Sequence, residues 1–239
     1  MTDVAVHPRK HPELWERFAE DNAYQYIKTD LADGSHEAFW QSGETTVRED
    51  LVPLLEEFQL SRDCGLEIGC GVGRLVLPLS QVFRRMIGID ISKGMIRRAQ
   101  ESARQRQITN AQFVAISEPG GLLAALPQEV GRVSFVYSLL VFQHIPDFQT
   151  IESYIAVIGQ MLSRDGAAYL QFDTRVRTLP YYLKTALPDF VLPRYVRRGI
   201  RRIRLNPSEI EKAFVRHGLK VIQEKTPRST DHRYLLRVS

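Results

Sequence analysis

The chain has 239 residues, 44% of them apolar and 25% charged, with a net charge of +4 and two cysteines. That length and apolar content suit one α/β domain with an ample core and exclude a disordered or fibrous protein. No apolar run reaches the roughly 18 to 20 residues of a membrane span, and the opening "MTDVAVHPRKHPELWERF" lacks the apolar centre of a signal peptide, so a cytoplasmic protein is expected.

The charge is uneven. Between Arg175 and Arg204 there are nine basic residues and one acid, Asp189, which leaves the rest of the chain net acidic. Cys64 and Cys70 stand at either end of the first predicted strand, too far apart for a disulfide, and read as free thiols.

In chain order, residues 11–29 begin with helical spacing at Leu14, Phe18 and Ala19, and "DLADGSHE" reads as a loop. "SGETTVREDLVPLLEEF" predicts a second helix starting near Ser42 or Gly43 and kinked at Pro53. From residue 64 strand and helix alternate. The predicted strands are "CGLEIG", "RMIGIDIS", "AQFVAIS", "RVSFVYSLLVF" and "AAYLQFD". Between them the predicted helices are "RLVLPLSQVF", "KGMIRRAQESARQRQ", a short "LLAALPQ", and "FQTIESYIAVIGQMLSRDG" closed by Gly166. The rhythm breaks after Asp173 and resumes with a helix capped by Asn206, with Pro207 at its first position and Gly218 at its end. "KVIQEKT" and "HRYLLRVS" then close the chain as a hairpin. The class is α/β: a doubly wound, mostly parallel, seven-stranded sheet with helices on both faces and an antiparallel C-terminal hairpin. A helical N-terminal segment precedes it, and a lid insertion follows strand five.

Ligands of such sheets bind beyond the carboxyl ends of the strands. The residues there are Gly69, Cys70, Gly71 and Gly73 after strand one and Asp90 and Ile91 after strand two. Ser117 and Glu118 follow strand three, and Ser138, Leu139 and "VFQHIPD" follow strand four. Three glycines at alternate positions let backbone approach a ligand closely with φ > 0. Asp90 suits a bidentate bond to ribose hydroxyls, with helix capping as the plainer role. The dinucleotide fingerprint fails, because Arg74 or Val76 stands where its third glycine belongs.

"LEIGCGVGRL", "GIDIS" with Met95, and "SLLVFQHIPD" together resemble the class I methyltransferases that use S-adenosylmethionine. The resemblance implies residues 61–239 as the methyltransferase domain, 1–60 as a helical cap and 175–205 as a basic lid. It implies that Glu67 binds the methionine amino group and that Gly69 to Gly73 shape the pocket. Asp90 would hold the ribose, Ile91 and Met95 the adenine, and Ser138 and Leu139 a further wall. Arg74 would pair either with the cofactor carboxylate or in a surface salt bridge. Two positions depart from the family: Ser117, with Glu118 next, replaces a common aspartate after strand three, and Ser134 replaces one at the start of strand four.

An alcohol acceptor needs a base. His144, after strand four, is the first candidate, with loop organisation as its alternative role, and Asp173 is the second, as base or cation ligand. No His/Cys cluster has zinc spacing. From Leu192, apolar residues at Tyr195, Val196, Ile200 and Ile203 among six arginines predict a basic amphipathic helix. It is a solvated face, or it serves an acidic substrate, a subunit interface or a membrane surface. Tyr181, Tyr182, Trp40, Tyr24 and Tyr26 are candidate acceptor walls. The expected activity is methyl transfer to an oxygen of a saccharide or other hydroxylated small molecule. Nucleic-acid methylation is the alternative, disfavoured because "SLLVFQH" lacks the Asn/Asp-Pro-Pro-aromatic motif of base N-methylating enzymes.

Overall fold

The computed structural model describes residues 11–27, 35–125, 132–145, 147–187, 191 and 202–239. Its sheet has seven strands: β1 (Cys64–Ile68), β2 (Arg85–Asp90), β3 (Ala111–Ala115), β4 (Val133–Ser138), β5 (Leu162–Phe172), β6 (Leu219–Lys225) and β7 (His232–Val238). Their order is β3-β2-β1-β4-β5-β7-β6. β1 to β5 pair in parallel, whereas β7 runs antiparallel to both its neighbours. The order reverses between β1 and β4, which places the crevice for a ligand at their carboxyl ends.

Side chains alternate across the sheet and feed two cores. On one face Phe135, Tyr137 and Tyr169 pack with Phe39, Trp40, Leu51 and Leu54 of the N-terminal helices. On the other, Val136, Leu170 and Phe172 meet Ile151, Ile155, Ile158 and Phe214. The helices before the first strand thus form one of the two layers on the sheet. They are α1 (His11–Ile27), α2 (His36–Thr46) and α3 (Val52–Glu57).

Several boundaries differ from the sequence expectation. α2 begins six to seven residues earlier than predicted, because Ser35 caps it by accepting from Ala38 N. It runs through a π-helical turn, Val47–Leu51, directly into α3. Pro53 stands in the first turn of α3, and the wider turn before it absorbs the lost N–H, so the proline kink takes the form of a π-bulge. The helix after β1 shrinks to α4 (Val76–Leu79), since Pro78 brings no N–H to the ladder. α5 (Lys93–Gln105) is capped by Ser92, α6 spans Gly121–Ala125, and α7 (Phe148–Met161) is capped by Asp147. Gly166 does not end α7: the chain is already extended at Leu162, and Gly166 lies within β5 against the carbonyls of Val133 and Ser134.

α9 (Pro207–Arg216) has the predicted Asn206 cap, and Gly218 follows it at φ +69°. In the insertion, α8 covers Leu179–Ala186. The predicted basic helix lies outside the described residues from 192 to 201, and Arg202 to Arg204 are not helical. No helix among the described residues is long and apolar enough to cross a membrane.

Phe172 stacks on Phe142 at 5.2 Å and meets Phe214 and Tyr234 edge-on or tilted, joining β5, α9 and the turn after β4. Phe172→Ala is expected to lower unfolding free energy by about 3–5 kcal/mol, read from the urea midpoint.

Candidate active site

Gly69, Gly71 and Gly73 have φ of +73°, +53° and +87°, the left-handed region expected of the run after β1. Gly69 admits no other residue: a Cβ there would stand 2.4 Å from Cγ2 of Val141, which presses in from the turn after β4. Asp90, at the end of β2, reaches back to this loop. Its Oδ2 accepts from Gly71 N at 2.9 Å and its Oδ1 from Ser92 N at 2.9 Å. Burial raises its pKa, against the pull of these backbone bonds.

Glu67 is the unusual group. It sits inside β1, only 4% exposed, and burial pushes its pKa up to about 8 despite Arg74 nearby. Tyr137, its register partner on β4, donates to its Oε2 at 3.1 Å. Arg74 is itself buried and donates to Ser42 Oγ of α2 at 3.3 Å. Its backbone packs so tightly on α2 that a Cβ at Gly43 would fall 2.3 Å from Arg74 O. Gly43 is therefore a close-approach glycine in mid-helix and does not mark a helix start.

The remaining side chains sort differently. Cys70 is buried, with its Sγ 3.6 Å from Gly71 O and against Gly88, so it contributes backbone to the loop. Ser138 is fully buried and donates to Ile68 O at 3.1 Å, a tie between β4 and β1. Ser134 makes a similar tie to both backbone groups of Cys64. Leu139 is buried and Ile91 half-buried at the strand ends. Met95 is buried with Phe18 and Ala19 in the core under α1. Ser117 and Glu118 are exposed on the turn after β3.

His144 lies in a 3₁₀ turn, Phe142–His144, with Nε2 3.3 Å from Gln143 Nε2 and its ring edge-on to Trp15 at 5.7 Å. Asp173 is engaged twice. Arg175 holds both its carboxylate oxygens, at 2.8 and 3.1 Å, it is fully buried, and its carbonyl accepts from Leu205 N at 2.7 Å. It thereby anchors the two ends of the insertion. Among the described residues no three His, Cys, Asp or Glu side chains gather as a metal site. The aromatic candidates fall into two groups. Tyr24 and Trp40 join Phe39 and His36, with Trp40 also lining a groove of about 530 Å³ beside Leu77 and Arg106, while Tyr181 pairs with Tyr182 in the insertion. Tyr26 has no described side chain.

Sequence reasoning missed that α1 lies across the carboxyl edge. Ile27 stands where a Cβ on Gly71 would be, 2.6 Å away. Glu16 accepts from Ser92 Oγ at 2.8 Å and Gly94 N at 3.0 Å, and Trp15 meets His144. It also missed Gln171. The Oε1 of this buried side chain accepts from Leu140 N at 3.0 Å, and its Nε2 donates to Thr230 O at 3.3 Å. Leu140 has φ +65°, an uncommon conformation for leucine, and it delivers Val141 onto Gly69.

Residues 66–166 match the family described as "Methyltransferase domain". A ubiquinone biosynthesis O-methyltransferase from Methylococcus capsulatus is 25% identical over 188 residues, 75% of each chain. A 23S rRNA (uracil(1939)-C(5))-methyltransferase from Xanthomonas axonopodis is 40% identical over 50 residues, 21% of this chain and only 11% of that enzyme's length. Among solved structures, magnesium protoporphyrin IX methyltransferase from Synechocystis with bound S-adenosylhomocysteine superposes with a TM-score of 0.63 at 21% identity, covering 94% and 97% of the two chains. An S-adenosylmethionine-dependent methyltransferase from Anabaena variabilis gives a TM-score of 0.63 at 19% identity over 99% and 96%. Residues 66–166 thus match a methyltransferase domain, and the chain shares the fold of the class I methyltransferases.

Gln171→Ala leaves the Leu140 N–H without its acceptor and is expected to cost about 1–3 kcal/mol by urea unfolding, with faster hydrogen exchange at Leu140. Glu67 supplies a second prediction. Its pKa lies near 8 in the folded protein and near 4.5 in the unfolded chain, so between these values the folded state binds more protons and stability falls as pH rises. Melting temperatures from pH 5 to about pH 8 should show this slope in the wild type and a flatter one in Glu67→Gln.

Proposed function

We propose that the chain binds S-adenosylmethionine at the carboxyl ends of β1, β2 and β4 and moves its methyl group to a hydroxyl oxygen of a small molecule. The observation that carries the reading is the pair Glu67 and Asp90, set on either side of the glycine turn within a methyltransferase domain. The residues fit the cofactor chemically. A buried carboxyl whose pKa stands near 8 is one that a neighbouring ammonium would ionise, and the methionine end carries such an ammonium. Each Asp90 oxygen accepts one backbone N–H and keeps a lone pair for a ribose hydroxyl. Arg74 is placed beside Glu67 for the cofactor carboxylate.

When bound, the cofactor supplies an electrophilic methyl on a sulfonium, and alignment of the acceptor accounts for most of the rate. α1 excludes water along the strand ends through Trp15 and Ile27. His144 is the base of this reading, placed in the turn after β4 beside Gln143 and Trp15. Support for a small acceptor on oxygen comes from the O-methyltransferase relative, which aligns over three quarters of both chains. RNA methylation is the second reading, favoured by the ribosomal RNA enzymes and by the nine basic residues of the insertion.

Calorimetric titration tests the reading. S-adenosylmethionine and S-adenosylhomocysteine should bind, NADH should not, and Asp90→Ala should abolish the adenosyl signal. Near pH 7 the binding heat should vary with the buffer's ionisation enthalpy, because Glu67 gives up its proton as it binds. Glu67→Gln should remove that variation and weaken binding roughly 10- to 100-fold. Failure of the wild type to bind either adenosyl ligand would sink the proposal. Radiolabelled methyl appearing in RNA, and in no small hydroxylated acceptor, would turn it to the second reading.

A further inference from the structure

The groove of about 530 Å³ beside Trp40 has the volume of a small-molecule pocket. Val47 walls it from the π-helical turn after α2, Leu77 from α4, and Val82 and Ile108 from the segments leading into β2 and β3. Val82 and Ile108 precede those strands, so the groove reaches their amino ends, while Asp90 stands at the carboxyl end of β2. It is therefore a second concavity, separate from the glycine turn.

Its exposed side carries charge that nothing offsets. Among the described residues the Glu44 carboxylate meets no cation and the Arg106 guanidinium meets no carboxylate, whereas Arg48 between them and the solvent pairs with Glu49 at 3.0 Å. Arg106 lies 4.4 Å over the Trp40 ring. Stacking of that kind uses the face of the guanidinium and leaves its in-plane N–H groups free for a carboxylate. Glu44 follows Trp40 by four residues on α2, one helical turn of about 5.4 Å. A cation and an anion thus stand roughly a turn apart above an apolar floor.

We propose that this groove binds an apolar dipeptide with free termini. The carboxylate meets Arg106, the ammonium meets Glu44, and the two side chains cover Val47, Leu77, Val82 and Ile108. Two extended residues span roughly 7 Å, enough to reach both charges. The ammonium and carboxylate of a single amino acid share one carbon and do not span the gap. A plain carboxylate with an apolar body would set an anion beside Glu44 with no cation to answer it. The groove also connects to the carboxyl edge, because Ser42 and Gly43 of α2 hold Arg74 near Glu67. A ligand that bridges α2 to α4 fixes this helix and tightens binding of S-adenosylhomocysteine. That link rests on the proposed cofactor site; the dipeptide site does not.

The test is calorimetric titration of the full chain with leucyl-phenylalanine, first with no adenosyl ligand. The dipeptide should bind, and its N-acetylated and C-amidated forms should bind roughly tenfold more weakly or worse. Glu44→Gln and Arg106→Gln should each weaken the dipeptide by a similar factor. Glu44→Gln should do so at an unchanged melting temperature, since its side chain is exposed, and should no longer distinguish the acetylated form. No binding of the dipeptide overturns the proposal, as do equal binding of the blocked forms and undiminished binding by both variants. With the groove saturated, S-adenosylhomocysteine should bind roughly fivefold more tightly. Both ligands binding with no mutual effect would overturn the link and leave the dipeptide site in place. Absent adenosyl binding would end the cofactor reading and the link together, with the dipeptide result still standing.

Discussion

A carboxyl group is buried in the middle of the sheet, and much of the carboxyl edge is arranged around keeping it there. Glu67 is surrounded by strand neighbours and by the first layer of helices, and an ionised carboxylate in such a place costs several kcal/mol unless it is paired. The protein meets that cost in two ways: the group holds its proton near neutrality, and Tyr137 and Arg74 are brought to it from β4 and from the loop. Each needs its own support. Tyr137 is set by strand register, and Arg74 by Ser42 and by the missing side chain of Gly43 on α2. The N-terminal helices are therefore part of the site's electrostatics as well as of its cover.

The same edge is held together by backbone contacts that cross between elements. Asp90 ties β2 to the glycine loop, Ser138 ties β4 to β1, and Gln171 reaches from β5 to Leu140 on one side and the β6–β7 turn on the other. Val141, set by Leu140, then fills the space that Gly69 leaves. Strain at Leu140 is thus balanced by a neutral amide bonded on both sides, which fixes the turn after β4 against the glycine loop.

What the sequence made legible was local. The Asn206-Pro207 start and Gly218 end of α9, the positive-φ glycines, and the parallel sheet implied by alternating elements all follow from signals within a few residues. The misplaced features depend on contacts distant in sequence. Gly43 looks like a helix start until Arg74, 31 positions on, is seen against it. The bond that Ser138 donates to Ile68 O, across 70 positions, has no signal in the sequence. Nor has the bond that Leu205 N donates to Asp173 O. The shortness of α4 could have been read from Pro78, and the π-turn from Pro53 within a continuous helical pattern.

The grip of Asp173 on both ends of the insertion has an evolutionary consequence. One residue holds Arg175 by its carboxylate and Leu205 by its carbonyl, so the two ends of an insertion of some thirty residues are held at a single point. The closure entropy of such an excursion changes slowly with its length. A segment stapled at its base can be lengthened, exchanged or rebuilt without moving β5 or the loops at the strand ends, so it can diversify at a pace of its own.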